Sequence, residues 1–227
     1  MTAYAWPGWG VSRFELRLMS NLRTFTGPYT PSTQVLDLLG ERWCGSLTLV
    51  PTTDPIEAAA REAFWDRLKG QANTTTLWHL KLTAPQGTLR DGTAATVVNA
   101  SLTTVSVVNA SLAAVAVVAG TPAVRVAAAV GDNTVWITTL PSKTVRAGDM
   151  LGIGGQLVRV MADATANLGG GLQVEIQPRA RAAWPVGTAV AWNAPTFTAR
   201  LKTPDTPATA WVPGYAEGAS IDFIEAI

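Results

Sequence analysis

Ala147-Gly-Asp-Met-Leu-Gly-Ile-Gly-Gly-Gln-Leu-Val-Arg-Val-Met-Ala-Asp-Ala-Thr-Ala-Asn (residues 147–167), followed by Leu172-Gln-Val-Glu-Ile-Gln-Pro-Arg-Ala-Arg (residues 172–181), is the stretch whose reading decides the fold. Short apolar runs alternate with polar residues and are punctuated by the Gly154-Gly155 pair and by the polar Asp-Ala-Thr-Ala run at 163–166. This is the pattern of strand, glycine turn, strand, polar turn, strand. Upstream, Val124-Arg-Val-Ala and Thr134-Val-Trp-Ile-Thr repeat the alternation at a similar spacing. A run of short strands bounded by glycine and proline predicts a compact barrel or sandwich.

The N-terminal part reads differently. Phe14, Leu16 and Leu18 alternate with Arg13, Glu15 and Arg17, the period of a half-buried strand. Gly27, Pro28 and Pro31 place a loop over residues 24–33, and a second strand follows at 43–50, ended by Pro51. Asp54, Pro55 and Glu57 occupy the N-cap, first-turn and capping-box positions of a helix over residues 54–69. Ile56, Ala60, Ala63, Phe64 and Leu68 form its apolar stripe, leaving Arg61, Glu62, Asp66 and Lys69 for water. Strands are expected again at 74–83, 197–203 and 219–227. The closing pair of strands can complete the N-terminal sheet, which makes the middle of the chain an insertion. The expected division is residues 1–95 plus 196–227 as one domain and 96–195 as an inserted β-rich domain. Val-Val-Asn-Ala-Ser-Leu occurs twice, at Val97 and Val107, too short and too few in copy number for a solenoid.

Composition narrows the function. With 17 basic and 16 acidic residues among 227, the chain lacks the positive footprint of a duplex-binding domain. Hydrophobic residues make up 48% and charged residues 15%, enough for a large core and sparse enough in charge to suggest that part of the surface meets neighbours. One Cys44 allows no internal disulfide, and with His79 as the single other soft ligand no zinc site is assembled within one chain. Cys44 reads as a small buried hydrophobe and His79 as a strand residue. The first eight residues lack the basic start and apolar core of a secretory leader, so synthesis and use in a cytoplasm are expected. The most apolar stretch, 111–124, is broken by Gly120 and Pro122 and is too short to span a bilayer.

Motifs for chemistry are missing from the sequence. Neither residues 148–152 nor the Gly169-Gly-Gly171 run has the spacing of a phosphate-binding loop, and both read as turns, with Asp149 as a turn former. The acids are scattered, giving no glycosidase pair, and no Gly-x-Ser-x-Gly elbow accompanies His79. No enzyme, cofactor or metal is expected.

The phrase at 147–155, the valine-rich 157–160, the Asp-Ala-Thr-Ala turn, the strand ending in Pro178-Arg179, the Pro185-Val-Gly turn and the closing strands at 195–201 and 222–226 together resemble the distal tail proteins of long-tailed bacteriophages. Glu41-Arg-Trp-Cys and the helix at 58–68 extend the resemblance toward the N-terminus. It implies a mainly β fold: a tail-tube-like β-sandwich or barrel domain with one α-helix at about 54–69 and an inserted small β-barrel or sandwich. It further implies a homohexameric ring at the tail tip, joining the tail tube protein to the baseplate hub or tail-tip proteins. On that resemblance, DNA is expected to pass through the lumen without specific binding, no membrane is expected to be involved, and the virion is expected to be assembled in a bacterial cytoplasm.

Within that implied ring, Tyr4, Trp6, Trp9 and Tyr29, in Pro/Gly-rich loops, are assigned to subunit or tube contacts, with local packing as the competing reading. A tail tube subunit is one alternative. A carbohydrate-binding or host-recognition module is another, since exposed Trp residues on a β scaffold stack on sugar rings. Trp136, Trp184 and Trp192 are its candidates, each within or beside a predicted strand where core packing competes.

Overall fold

The computed structural model describes residues 2–26, 33–38, 40–90 and 121–226. The described chain is mainly β with one helix and separates into two units, Met1–Lys81 with Thr196–Ile227, and Leu82–Pro195.

In chain order the elements are β1 (Ala3–Ala5), β2 (Val11–Met19), β3 (Leu22–Thr26), β4 (Thr33–Asp37), β5 (Arg42–Leu49), α1 (Pro55–Leu68) and β6 (Thr74–Trp78). The second unit contributes β7 (Ala123–Val126), β8 (Thr134–Thr138), β9 (Thr144–Val145), β10 (Met150–Ile153), β11 (Gln156–Val160), β12 (Ala164–Thr165), β13 (Gly171–Gln177) and β14 (Val190–Ala191). The chain then returns as β15 (Thr196–Leu201), β16 (Trp211–Val212), β17 (Tyr215–Ala216) and β18 (Ser220–Glu225).

The first unit is built on a six-stranded sheet in the order β1-β6-β15-β18-β5-β2. Its central strands alternate strictly: Phe197, Ala199 and Leu201 on β15 and Ile221, Phe223 and Glu225 on β18 point inward, their neighbours outward. That period of two gives the sheet one buried face. β6 and β15 are antiparallel neighbours with Trp78 opposite Thr196, so the second unit lies in the chain between two directly paired strands. Glu225 is buried, and its carboxylate accepts the Trp43 N–H at 2.9 Å, fixing the last strand to β5.

Helix α1 starts as the cap residues dictate, with Asp54 accepting the Ile56 N–H at 2.9 Å and Pro55 in the first turn. The capping box does not close in the anticipated way. The Asp54 N–H donates to the Thr52 hydroxyl, and Glu57 takes the Thr52 hydroxyl and Arg61 instead. The anticipated apolar stripe is also rotated: Ile56, Ala60 and Ala63 are exposed, and Ala58, Arg61, Phe64, Trp65 and Leu68 are buried. The cause is aromatic. Trp6 and Trp9 pack edge-on against Phe64 and close to Trp65, with ring centroids 5.3–6.0 Å apart, and this cluster sets which face turns inward. Arg61 tolerates burial because its Nη atoms donate to the Val50 carbonyl and to Glu57, each at 2.7 Å.

Of the loop anticipated over 24–33, residues 24–26 and 33 are strand, and 27–32 lie outside the described residues. β3 and β4 pair antiparallel from Leu22 opposite Asp37 to Thr26 opposite Thr33, so residues at both ends of that anticipated loop are strand.

The second unit is a six-stranded sheet, β14-β10-β11-β13-β8-β7, with a short β9-β12 pair. The outer side of β7 is hydrogen-bonded to the 184–190 segment through Val124 to Thr188, Gly187 to Val124 and paired bonds between Ala128 and Trp184, so the sheet nearly closes into a barrel. Closure removes exposed edges. Leu151, Ile153, Val158, Val160, Leu172 and Val174 fill its interior. The β10–β11 hairpin turns on Gly154 and Gly155, at φ of 57° and 83°, the left-handed pair that a two-residue turn requires.

The boundary anticipated at residue 95 lies instead near residue 82. Leu89 is fully buried in the core of the second unit and its N–H donates to the Thr144 carbonyl, while Asp149 holds the N–H groups of Gln86 and Gly87. The Val-Val-Asn-Ala-Ser-Leu duplication lies outside the described residues.

Candidate assembly surface

The most unusual surface of the first unit is the β3–β4 hairpin. Across the register, Arg23, Phe25, Gln34 and Leu36 share one face and Leu22, Thr24 and Val35 share the other. All of these side chains are exposed, with Phe25 at 53% and Val35 at 58%. Met19 and Leu38 flank them and are exposed as well. A two-stranded hairpin has too little buried surface of its own to be independently stable in water, and three or more strands or a covering element are needed. Six large apolar side chains within residues 19–38 form a concentrated patch, unlike the scattered exposed residues Ile56, Val130, Leu168 and Val186. Full burial of such a side chain contributes about 1.5–3 kcal/mol. A covering surface, were one to bury these side chains, would gain several kcal/mol, on the scale of an association cost of about 4–15 kcal/mol.

The edges of the sheet differ in chemistry. Among the described residues β2 pairs on one side only, with β5, and exposes Arg13, Glu15 and Arg17. Arg13 and Glu15 form an exposed ion pair. Charges along an edge discourage indiscriminate strand addition and favour a complementary partner. At the other end β1 is three residues of parallel strand, uncharged and paired on one side with β6.

The four aromatic residues assigned to contacts fall in different settings. Trp6 is buried and Trp9 half-buried, with ring centroids 5.6 Å apart, both in the cluster with Phe64 and Trp65. Tyr4 is half-buried on β1, and Tyr29 lies outside the described residues. The hairpin residues that form the exposed patch were not anticipated. The signal was present as apolar runs on both sides of the Gly27-Pro28-Pro31 segment, which is a hairpin pattern.

Groups of chemical interest are occupied structurally. Cys44 is buried, and His79 is half-buried with its ring edge-on to Phe14 at 5.3 Å. Among the described residues no three His, Cys, Asp or Glu side chains cluster as metal ligands, and no helix is long and apolar enough to cross a membrane. The glycine run at 169–171 has no N–H groups left for an anion. Gly169 and Gly171 donate to the Asn167 side-chain oxygen at 3.0 and 2.9 Å, and Gly170 donates to the Asn167 carbonyl. Asp149 is a turn residue, accepting the Arg146 N–H at 2.7 Å.

Of the tryptophans weighed for sugar stacking, Trp184 is buried, Trp192 is half-buried beneath the Arg90 guanidinium at 5.0 Å, and Trp136 stands on the outer face of the barrel. No family model matches this chain, and no curated protein matches it.

Proposed function

We propose that the chain is a structural, non-catalytic subunit that assembles with copies of itself into a ring at the distal end of a phage tail. The ring joins the tail tube to the baseplate hub or tail-tip proteins and leaves a lumen for DNA. The observation that carries the self-assembly is the β3–β4 hairpin with apolar side chains exposed on both faces, beside a charged β2 edge. One face can pack on the parent sheet's neighbour while the other is covered by the next copy. Such a heterologous contact closes into a ring when the rotation per subunit is a simple fraction of a turn. The tail-tip position is carried by the resemblance of residues 147–181, 185–187, 195–201 and 222–226 to distal tail proteins. Near-neutral net charge suits a wall past which DNA moves without being held.

The test has two arms. Sedimentation velocity and negative-stain imaging of the purified chain are expected to give a six-membered ring, and a chain that stays monomeric at high concentration overturns the assembly reading. Labelling the C-terminus in intact particles is expected to give one signal per tail at its tip. Label along the tail length makes this a tube subunit instead.

A further inference from the structure

We propose that the outer face of the second unit carries a binding site for a neutral saccharide, centred on Trp136. Strand β8 sends Val135 and Ile137 into the barrel and Thr134, Trp136 and Thr138 outward. A tryptophan on the outward register costs hydrophobic burial that the inward positions would supply, yet Trp136 remains 36% exposed. Its cross-strand neighbours are Gln173 on β13 and Val126 on β7, the latter brought opposite by a register shift between Val124 and Val126.

Two hollows meet at this point and share Asn133 and Thr134. One, of about 270 Å³, is walled by Val126, Asp132 and Trp136, and the other, of about 330 Å³, by Asp163, Gln173 and Glu175. Each is near the lower end of the range for small-molecule sites, roughly 300–1,000 Å³, and the pair is sized for two sugar rings side by side. Trp136 and Val126 supply an apolar platform for the C–H face of a pyranose. Gln173 and Glu175, whose side chains have no hydrogen-bond partner among the described residues, supply the planar donor and acceptor groups that hydroxyls need. Asp132 and Asp163 are committed to the scaffold. Asp132 accepts the Ala129 N–H at 2.7 Å, and Asp163 accepts the Ala147 N–H at 2.8 Å and pairs with Arg146. They hold the walls in place.

The charge pattern selects the ligand class. No Lys or Arg lines either hollow, and three carboxylates do, which disfavours phosphates, nucleic acid and acidic glycans. A quaternary ammonium group is recognised by a cage of several aromatic rings, and the first hollow offers a single one. An aromatic platform flanked by amide and carboxylate groups fits a neutral sugar. The open shape predicts weak single-site binding, with Kd on the order of 1 mM.

The experiment is saturation-transfer NMR on the full chain with maltose, lactose, cellobiose and N,N′-diacetylchitobiose, backed by an array of neutral and acidic glycans. At least one neutral glycan is expected to bind, with a loss of tenfold or more in Trp136→Ala and a smaller loss in Gln173→Ala. Both positions face outward, and circular dichroism checks that each variant is folded. If Trp136→Ala does not fold, Gln173→Ala and Glu175→Gln carry the test. Absence of binding across the array, preference for acidic glycans, or binding unchanged in the folded variants overturns the proposal. The readout does not depend on ring formation, since the binding of the wild-type chain is measured whatever its oligomeric state.

Discussion

The buried carboxylate of Asp149 accepts the N–H of Gln86 at 2.7 Å, joining residues 63 positions apart, and its second oxygen accepts the Arg146 N–H at the same distance. Through these bonds the segment after β6 becomes part of the second unit. Replacing Asp149 by Asn leaves one carbonyl oxygen and turns an NH₂ group toward N–H donors. The expected cost is about 1–3 kcal/mol, the penalty for an unsatisfied buried group. Urea unfolding of Asp149→Asn should show a lowered midpoint, and an unchanged midpoint would mean that water replaces the carboxylate.

The hairpin predicts a face-dependent effect on assembly. Phe25 and Leu36 lie on one face of β3–β4, and Val35 on the other. The double variant Phe25→Ser with Leu36→Ser is expected to shift sedimentation from assembled species to monomer while far-ultraviolet circular dichroism stays unchanged. Val35→Ser reports on the opposite face. If neither variant alters the assembly, the hairpin is not the contact.

At Gly45 the backbones of β2 and β5 approach so closely that an added Cβ would sit 2.0 Å from the Glu15 carbonyl oxygen and 2.8 Å from the Phe223 ring. Because the nearest atom is backbone, a rotamer change cannot relieve the clash. Gly45→Ala is expected to cost about 3 kcal/mol or more, with faster hydrogen exchange across residues 11–19. Gly155→Ala meets nothing within 4 Å and suffers only its positive φ of 83°, for about 1 kcal/mol. Equal effects from the two would show that β2 relaxes away from β5.

Acid should weaken the helix start. The Thr52 hydroxyl, and after it the Arg61 guanidinium, hold the Glu57 carboxyl below its ordinary value. A depressed carboxylate contributes stability that is fully present above the unfolded value, about 4.3, and that is lost as pH falls through the folded one. Glu57 is about a third exposed, at 34%, so screening keeps the contribution small. In thermal melts, Glu57→Gln is expected to be less stable than wild type at pH 7, with the difference narrowing as the pH falls below the ordinary carboxyl range and the native carboxyl is protonated. A constant difference would assign the effect to packing alone.

Local signals in the sequence located most elements. Asp54 and Pro55 placed the start of α1, and the alternation around Val135 and Ile137 and the pair Gly154-Gly155 placed β8 and the β10–β11 turn. These features depend on neighbours within a few residues. What the sequence hid depends on distant partners. The inward face of α1 is set by Trp6 and Trp9, some fifty residues upstream, so an average over apolar positions picked Ile56 and missed Arg61. The boundary near residue 82 is fixed by Asp149, whose role is invisible until the Gln86 N–H is seen to need an acceptor. The exposed apolar patch on β3–β4 was obscured for another reason. Gly27, Pro28 and Pro31 dominate their surroundings, and the strands on either side are only five residues each. Of the three tryptophans weighed for sugar stacking, Trp136 takes an outward position on β8 and is exposed, whereas Trp184, bridged to Ala128, is buried.

The Trp78–Thr196 pairing gives the first unit the character of a socket. The two ends that it presents are a single interstrand spacing apart, about 4.8 Å, and each doubling of the chain between them adds only about 0.6 kcal/mol of closure entropy. Any self-folding cassette with adjacent termini can be exchanged there without disturbing the β6–β15 ladder. The ladder itself thus sets almost no limit on the length of what is carried between its two strands.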